Sequence, residues 1–230
     1  MSSMRLIHLS VVSALFSIVS LAAQPVQAQS VRAPAIAEGD TWEFRTLNMW
    51  SSKPISQFSK KTIGISGEYA RMFYETRTLG KGEEFVKPQV SEGTVRTDLN
   101  MTVMFKNDKM EQIWYKWPLE PGKKWEFQYK QEFPSATNSA QIQVSITNTK
   151  AEVIGWETIE VPAGKFKALK IVYKNSWTMD NPTSSGTTQN IVWYSPDTKS
   201  SVQTTFESFG ADGSPQTRTN QQLTRFENAK

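Results

Sequence analysis

From Gly39 onward the chain repeats with a period of two. Trp42, Phe44 and Thr46 alternate with Glu43 and Arg45, and Met101, Val103 and Phe105 alternate with Thr102, Met104 and Lys106. Tyr69, Arg71 and Phe73 likewise alternate with Ala70, Met72 and Tyr74. Successive side chains of a strand point to opposite faces, so this repeat predicts strands. Several runs are apolar in both phases, which predicts a sheet covered in part on each side. Turn chemistry separates the runs at Ser66-Gly67-Glu68, Gly80-Lys81-Gly82, Asn107-Asp108-Lys109, Glu120-Pro121-Gly122, Pro162-Ala163-Gly164, Ser195-Pro196-Asp197 and Ala211-Asp212-Gly213. No long amphipathic helix is visible. The segment Lys53 to Lys61, with Ile55 and Phe58, is read as at most one short helical turn. Hairpins closed by tight turns favour sequential antiparallel neighbours. The expected fold is therefore all-β: a single large antiparallel, strongly curved sheet, an incomplete β-barrel with at most short helices.

Three local features refine this picture. In the hairpin around Pro162-Ala163-Gly164, the outgoing strand carries Phe166 and Ala168 in one phase but Leu169, Ile171 and Tyr173 in the other. The apolar side thus switches near Ala168, and a bulge or bend there would account for it. Gly39-Asp40-Thr41-Trp42-Glu43-Phe44 and Gly122-Lys123-Lys124-Trp125-Glu126-Phe127 share the form Gly-x-x-Trp-Glu-Phe; duplication of a half-sheet and convergence on a common hairpin entry both explain it. The polar stretch Met179 to Thr187 reads as a longer connection, either a lid at the mouth of a half-barrel or an idle hairpin loop.

The N-terminus changes the compartment. Arg5 precedes an apolar run from Leu6 to Ala23, followed by Pro25 and Val26-Gln27-Ala28, which is the order of a cleavable secretory leader. Residues 1–28 are expected to be that leader, 29–37 a flexible lead-in and 38–230 one β domain in the periplasm, with secretion as the alternative. The chain has no cysteine, so neither disulfides nor an acylated cysteine anchor is available, and stability must come from a packed core. Its one histidine, His8, falls in the leader. Ser-His-Asp catalysis and ordinary zinc sites are therefore excluded from the mature chain, and no cofactor or metal is expected. A net charge of +4 spread in pairs such as Lys60-Lys61 and Lys123-Lys124 lacks the concentrated basic patch of a nucleic-acid binder. A solvated face, or weak attraction to anionic envelope surfaces, accounts for it.

Aromatic residues are the main candidate chemistry. The eight tryptophans are Trp42, Trp50, Trp114, Trp117, Trp125, Trp156, Trp177 and Trp193. Such side chains line apolar cavities, stack on sugars or fill a β core. Trp42, Phe44, Phe73, Trp114, Trp125, Phe127 and Trp193 are the candidate cavity residues, and methionines such as Met72, Met101 and Met104 suit an adaptable pocket. Among the acids, Glu83, Glu84, Asp98, Asp108, Glu111, Glu157 and Glu160 could furnish a glycosidase-like pair, which needs two carboxylates across a groove. The calcium loop Asp-x-Asp-x-Asp-Gly is absent.

The stretch Trp117-Pro118-Leu119-Glu120-Pro121-Gly122-Lys123-Lys124-Trp125-Glu126-Phe127, then Val161-Pro162-Ala163-Gly164-Lys165-Phe166-Lys167-Ala168, then Trp193-Tyr194-Ser195-Pro196, resembles the bacterial envelope proteins of domain of unknown function 3108. That family is distantly similar to the periplasmic lipoprotein carriers LolA and LolB. The resemblance spans Gly39 to Phe209 and implies a sheet curled into an incomplete barrel with an apolar concave face; it supplies no catalytic residues. Family members often close the tryptophan-tyrosine segment with a "VGLV"-like turn, where this chain has Asp197-Thr198-Lys199-Ser200-Ser201-Val202. The function expected is non-catalytic binding of an apolar or amphipathic small molecule or lipid, without nucleic acid or a permanent membrane anchor. An assembly factor using a sheet edge and a carboxylate-dependent hydrolase of envelope polymers are the alternatives.

Overall fold

The computed structural model describes residues 29–81, 84–105, 108–134, 141–180 and 184–229; the expected leader lies outside them. Twelve strands follow one another: β1 (Thr41–Asn48), β2 (Pro54–Ser66), β3 (Tyr69–Thr78), β4 (Gln89–Arg96), β5 (Met101–Phe105), β6 (Asp108–Gln112), β7 (Lys124–Pro134), β8 (Ile142–Val161), β9 (Gly164–Met179), β10 (Ser184–Ser195), β11 (Ser200–Gly210) and β12 (Pro215–Glu227). Among the described residues the sole helical element is a 3₁₀ turn, Pro196–Thr198. The segment read as a short helical turn is instead part of β2, where Phe58 pairs with Phe44 of β1 and Thr76 of β3. Its alternation of Phe58, Lys60 and Thr62 follows the period of two once flanking strands supply the partners.

Ten strands form one antiparallel sheet in the order β4-β3-β2-β1-β12-β11-β10-β9-β8-β7, and β5-β6 is a separate hairpin. Two meanders, β1 to β4 and β7 to β12, are thus joined by pairing of the chain's first and last strands. The sheet does not close, since β4 and β7 are its two edges. It does curl. Ala163 in the β8–β9 turn donates its N–H to the carbonyl of Leu223 in β12 at 3.1 Å, although β10 and β11 separate those strands in the sheet. Trp42 of β1 donates its indole N–H to Thr198 O in the β10–β11 turn at 2.6 Å.

The interior divides into two apolar clusters. One holds Trp42, Phe44, Ala70, Met72, Val161, Phe166, Ala168, Trp193, Val202 and Leu223; the other is built on Val31, Leu119, Trp125, Ala151, Val153, Leu169, Ile171, Tyr173 and Tyr194. The side switch expected near Ala168 is real, since Ala168 and Leu169 belong to different clusters. Strand β9 itself carries no bulge against β10. The register shifts lie in the neighbouring pairs, between Val153 and Gly155 and between Trp193 and Tyr194. Gly164 takes φ = 132° at the hairpin corner, where a side chain would be strained.

The stretch expected as a flexible lead-in is anchored. Val31 is buried and exchanges both backbone hydrogen bonds with Leu119 at 2.7 Å. Just beyond it, the fully buried Asp40 carboxylate accepts from Ala37 N (2.9 Å), Ala229 N (2.7 Å) and Lys199 Nζ (3.0 Å), fastening Ala37 and Ala229 to the β10–β11 turn. The polar connection at Met179 to Thr187 is shorter than its composition implies. Ser184–Thr187 pair with Met179–Ser176 as the start of β10, so those residues are not a lid.

Candidate functional site

The β4–β5 turn and the connection between β6 and β7 lie against the curled sheet, joined to each other through Asn100 and Trp117. Asn100 accepts from Tyr115 N at 2.8 Å and donates to Tyr115 O at 2.9 Å, imitating a backbone pair. Its amide also donates to Asp98 at 3.1 Å, and Trp117 donates its indole N–H to Asp98 O at 2.7 Å. Burial raises the Asp98 pKa, but hydrogen bonds from Arg96 and Asn100 outweigh it and leave the carboxyl below its usual range.

On one side of Tyr115 the interior is filled. Trp114 meets Phe127 and Tyr173 edge-on with ring centres 5.6 and 5.3 Å apart, and Trp125 meets Tyr173 at 6.1 Å. Trp117 packs between Tyr115 (5.3 Å, stacked) and Tyr194 (5.2 Å, edge-on). Trp125 donates to Ile113 O at 2.7 Å, and Tyr173 donates its hydroxyl to Trp114 O. Trp125 and Tyr173 thus find their polar partners within the connection, as buried aromatic dipoles favour, whereas the buried Trp156 indole N–H at the edge of this cluster has none among the described residues.

On the other side there is space. A pocket of about 160 Å³ is lined by Ile36, Trp42, Lys60, Met72, Tyr74, Val95, Leu99, Met101, Tyr115, Ser200 and Ser201. Register explains the lining. Lys60 sits between Trp42 of β1 and Tyr74 of β3, and Phe44, Phe58 and Tyr74 continue as a stacked row with centres 6.0 and 5.9 Å apart. The Lys60 ammonium lies 4.7 Å from the Trp42 ring centre and donates to Ser200 Oγ at 3.1 Å. Among the described residues it has no carboxylate partner, and burial lowers its pKa from 10.5 to about 8.

The seven sequence-predicted cavity residues therefore separate. Trp42 lines the pocket and Phe44 lies behind it in the same cluster. Trp114, Trp125 and Phe127 come together, but in the filled interior. Trp193 turns its indole to Glu157, donating at 2.7 Å. Phe73 points to the opposite side from Met72 and Tyr74, paired with Lys61 and Glu92. Sequence reading missed Lys60, Tyr74, Val95, Leu99 and Tyr115. Lys60 shares the phase of Phe58, and that was its available signal.

A larger depression of about 530 Å³ lies among Glu43, Arg45, Gln57, Glu75 and Arg77, in the opposite phase of β1 to β3. Its charged groups already have partners: Arg77 with Glu75 at 2.8 Å and Arg45 with Gln222 at 2.9 Å. Among the candidate acids, Glu157 binds Trp193 and Lys170, and these hydrogen bonds, Trp193's first, lower its pKa. Glu111 lies 3.7 Å from Arg96 and Glu160 is exposed. Side chains of Glu83 and Asp108 lie outside the described residues. Among the described residues no group of acids is placed to hold a metal ion.

An open antiparallel sheet, curled over a small apolar pocket and roofed by its own crossing connection, is the class of protein these observations define. The chain belongs to the DUF3108-like family, whose model matches residues 85–200. That match includes the lining residues Val95, Leu99, Met101, Tyr115 and Ser200, and excludes Trp42, Lys60, Met72 and Tyr74. No curated protein matches the chain. Among solved structures, a candidate exported protein with a YmcC-like fold from Bacteroides fragilis is similar at 14% identity and a TM-score of 0.50, over 87% of this chain and all of that one (100%). A candidate lipoprotein from Parabacteroides distasonis aligns at 12% identity and a TM-score of 0.47, over 86% of this chain and 100% of that chain. The first likeness establishes a shared fold.

Proposed function

We propose that this protein is a non-catalytic carrier or sensor of the bacterial envelope that binds one apolar or amphipathic small molecule in the pocket beside Tyr115. The observation that carries the reading is the contrast within one interior: aromatic rings fill the space on one side of Tyr115 and leave about 160 Å³ open on the other. A space of about 150 Å³ is large enough for a benzene-sized guest. Met72 and Met101 in the wall give it adaptability. The volume favours a single ring or a short alkyl segment over a whole lipid tail, with the remainder of a longer ligand outside. The leader expected over 1–28 and the exported description of the similar Bacteroides fragilis structure support an envelope location. Lowered pKa values at Asp98 and Glu157 are opposite to what a general acid needs at neutral pH, which supports the non-catalytic part.

Native mass spectrometry of the protein purified from its own envelope fraction tests the reading. The expected result is a bound small molecule that is lost in Val95→Phe, a variant that fills the pocket from its edge strand. Protein that is empty, and whose binding of phenyl-containing probes is the same in Val95→Phe, would overturn it.

A further inference from the structure

Lys60 is the one lining residue whose chemistry an apolar guest does not explain. A lysine usually keeps its ammonium in water and lays only its stem on apolar surface. Here the ammonium faces inward, over the Trp42 ring at 4.7 Å and toward Phe44 at 5.8 Å, with Ser200 Oγ at 3.1 Å as its hydrogen-bond partner. An ammonium carries three donors, so two remain for something else. The groups that face it are Tyr74 from β3, Tyr115 from the roof, Trp42 from β1 and Ser200 from β11. None is acidic at neutral pH, because burial raises the pKa of both tyrosines. The buried Asp40 carboxylate is outside the pocket lining and is already taken by Lys199 at 3.0 Å. The pocket thus has a positive charge, spare donors and no counter-ion among its described lining.

We infer that Lys60 reads an anionic head group, so that the ligand is an amphipathic anion: a carboxylate or phosphate on an apolar ring or short chain. The charge contacts Lys60 and Ser200, and the apolar part lies against Met72, Val95, Leu99 and Tyr115. The inference rests on the pocket being a ligand site and adds the charge of the ligand. Burial lowers the Lys60 pKa to about 8, so the pocket loses its positive charge, and with it the partner of the anion, as pH rises through that value.

The test uses three probes with similar apolar parts: 4-phenylbutyrate, phenylpropyl phosphate and the neutral 4-phenylbutanol. Methyl-labelled Met72 and Met101 report occupancy by NMR. Expected are shifts of both methyls with all three probes and at least about tenfold tighter binding of the anions, the scale of one charge-assisted hydrogen bond. The stronger anion identifies carboxylate or phosphate as the preferred head. Lys60→Met should abolish the preference and keep the alcohol's affinity, Lys60→Arg should keep the preference, and the preference should decline between pH 7 and 9. If no probe shifts either methyl, the pocket reading fails and the charge assignment fails with it. If all three bind alike, or the preference survives in a folded Lys60→Met protein, the pocket stands and the Lys60 assignment is overturned.

Discussion

Two copies of Gly-x-x-Trp-Glu-Phe lead into two different interiors. Trp42 and Trp125 both open a meander, are both nearly inaccessible, at 1% and 5% exposure, and both donate an indole N–H to a backbone carbonyl. The following glutamates also match: Glu43 lies 3.8 Å from Arg225 and Glu126 3.5 Å from Lys150, each across a strand pair. The difference is in what covers them. Trp125 lies under the crossing connection, whose Trp114 fills the space beside Tyr173. Trp42 lies under a lysine and a pocket. The same local motif therefore gives a sealed wall at one end and a cavity at the other, and Tyr115 is the partition.

The largest expected effect comes from breaking the sealed side. Trp125→Ala removes a large buried ring and the bond that holds Ile113, at a cost of about 4 kcal/mol. Urea denaturation should show a fall of that size, while Trp42, in the other cluster, keeps its environment in any folded fraction. A smaller loss follows when the partition is loosened. Asn100→Ala leaves the N–H and carbonyl of Tyr115 without their partner and should cost about 2–3 kcal/mol. It should also weaken ligand binding, because Tyr115 and Leu99 no longer hold one wall. Unchanged stability in this variant would mean that the roof docks by its rings alone.

Much of this contrast was hidden in the sequence for a physical reason. The period of two and the turn glycines mark the strands, and Trp42 and Trp125 stand out as anchors. Pairing between β1 and β12 leaves no local trace, because the partners are at opposite ends of the chain. Once β2 is placed between β1 and β3, Phe58 becomes a middle member of an aromatic row and the apparent helical turn disappears. Phase decided the cavity residues. Met72 and Tyr74 face inward and Phe73 outward, but a strand apolar in both phases looks the same either way. Lys60 resembled half of a solvated Lys60-Lys61 pair, and only register with Trp42 and Tyr74 shows that the two lysines face opposite ways.

Breaking the open side should have the reverse sign. A lowered lysine pKa means that the folded state binds its proton less well than the unfolded state, so the charge costs stability at every pH below about 8. The drop from 10.5 to about 8 corresponds to a ceiling near ~3 kcal/mol at 1.36 kcal/mol per pH unit, and attraction to the Trp42 ring offsets part of it. Lys60→Met should therefore stabilise the protein by about 1–2 kcal/mol at pH 7. The advantage should shrink above pH 8, as the wild-type lysine sheds its proton on folding. Ligand-free protein made less stable by this substitution would show that the ammonium is a structural cross-link.

The smallest effect at neutral pH belongs to Tyr194, and its pH dependence separates the two regions. Burial first, and the neighbouring Tyr115 second, raise the Tyr173 and Tyr194 pKa values above 10.0. Each phenol contributes stability that is fully present below pH 10 and is lost as pH rises toward its folded pKa, because only the unfolded chain ionises there. The sealed side thus weakens in alkali just where the open side has gained from the loss of the Lys60 charge. Thermal melts should improve slightly between pH 8 and 10 and then fall. Tyr194→Phe removes a hydroxyl while keeping the ring beside Trp117, so it should change stability by less than about 1 kcal/mol at pH 7. It should also flatten the fall above pH 10 without altering the rise that precedes it. A variant that flattened both limbs would show that the two interiors do not titrate independently, and that Tyr115 couples them instead of dividing them.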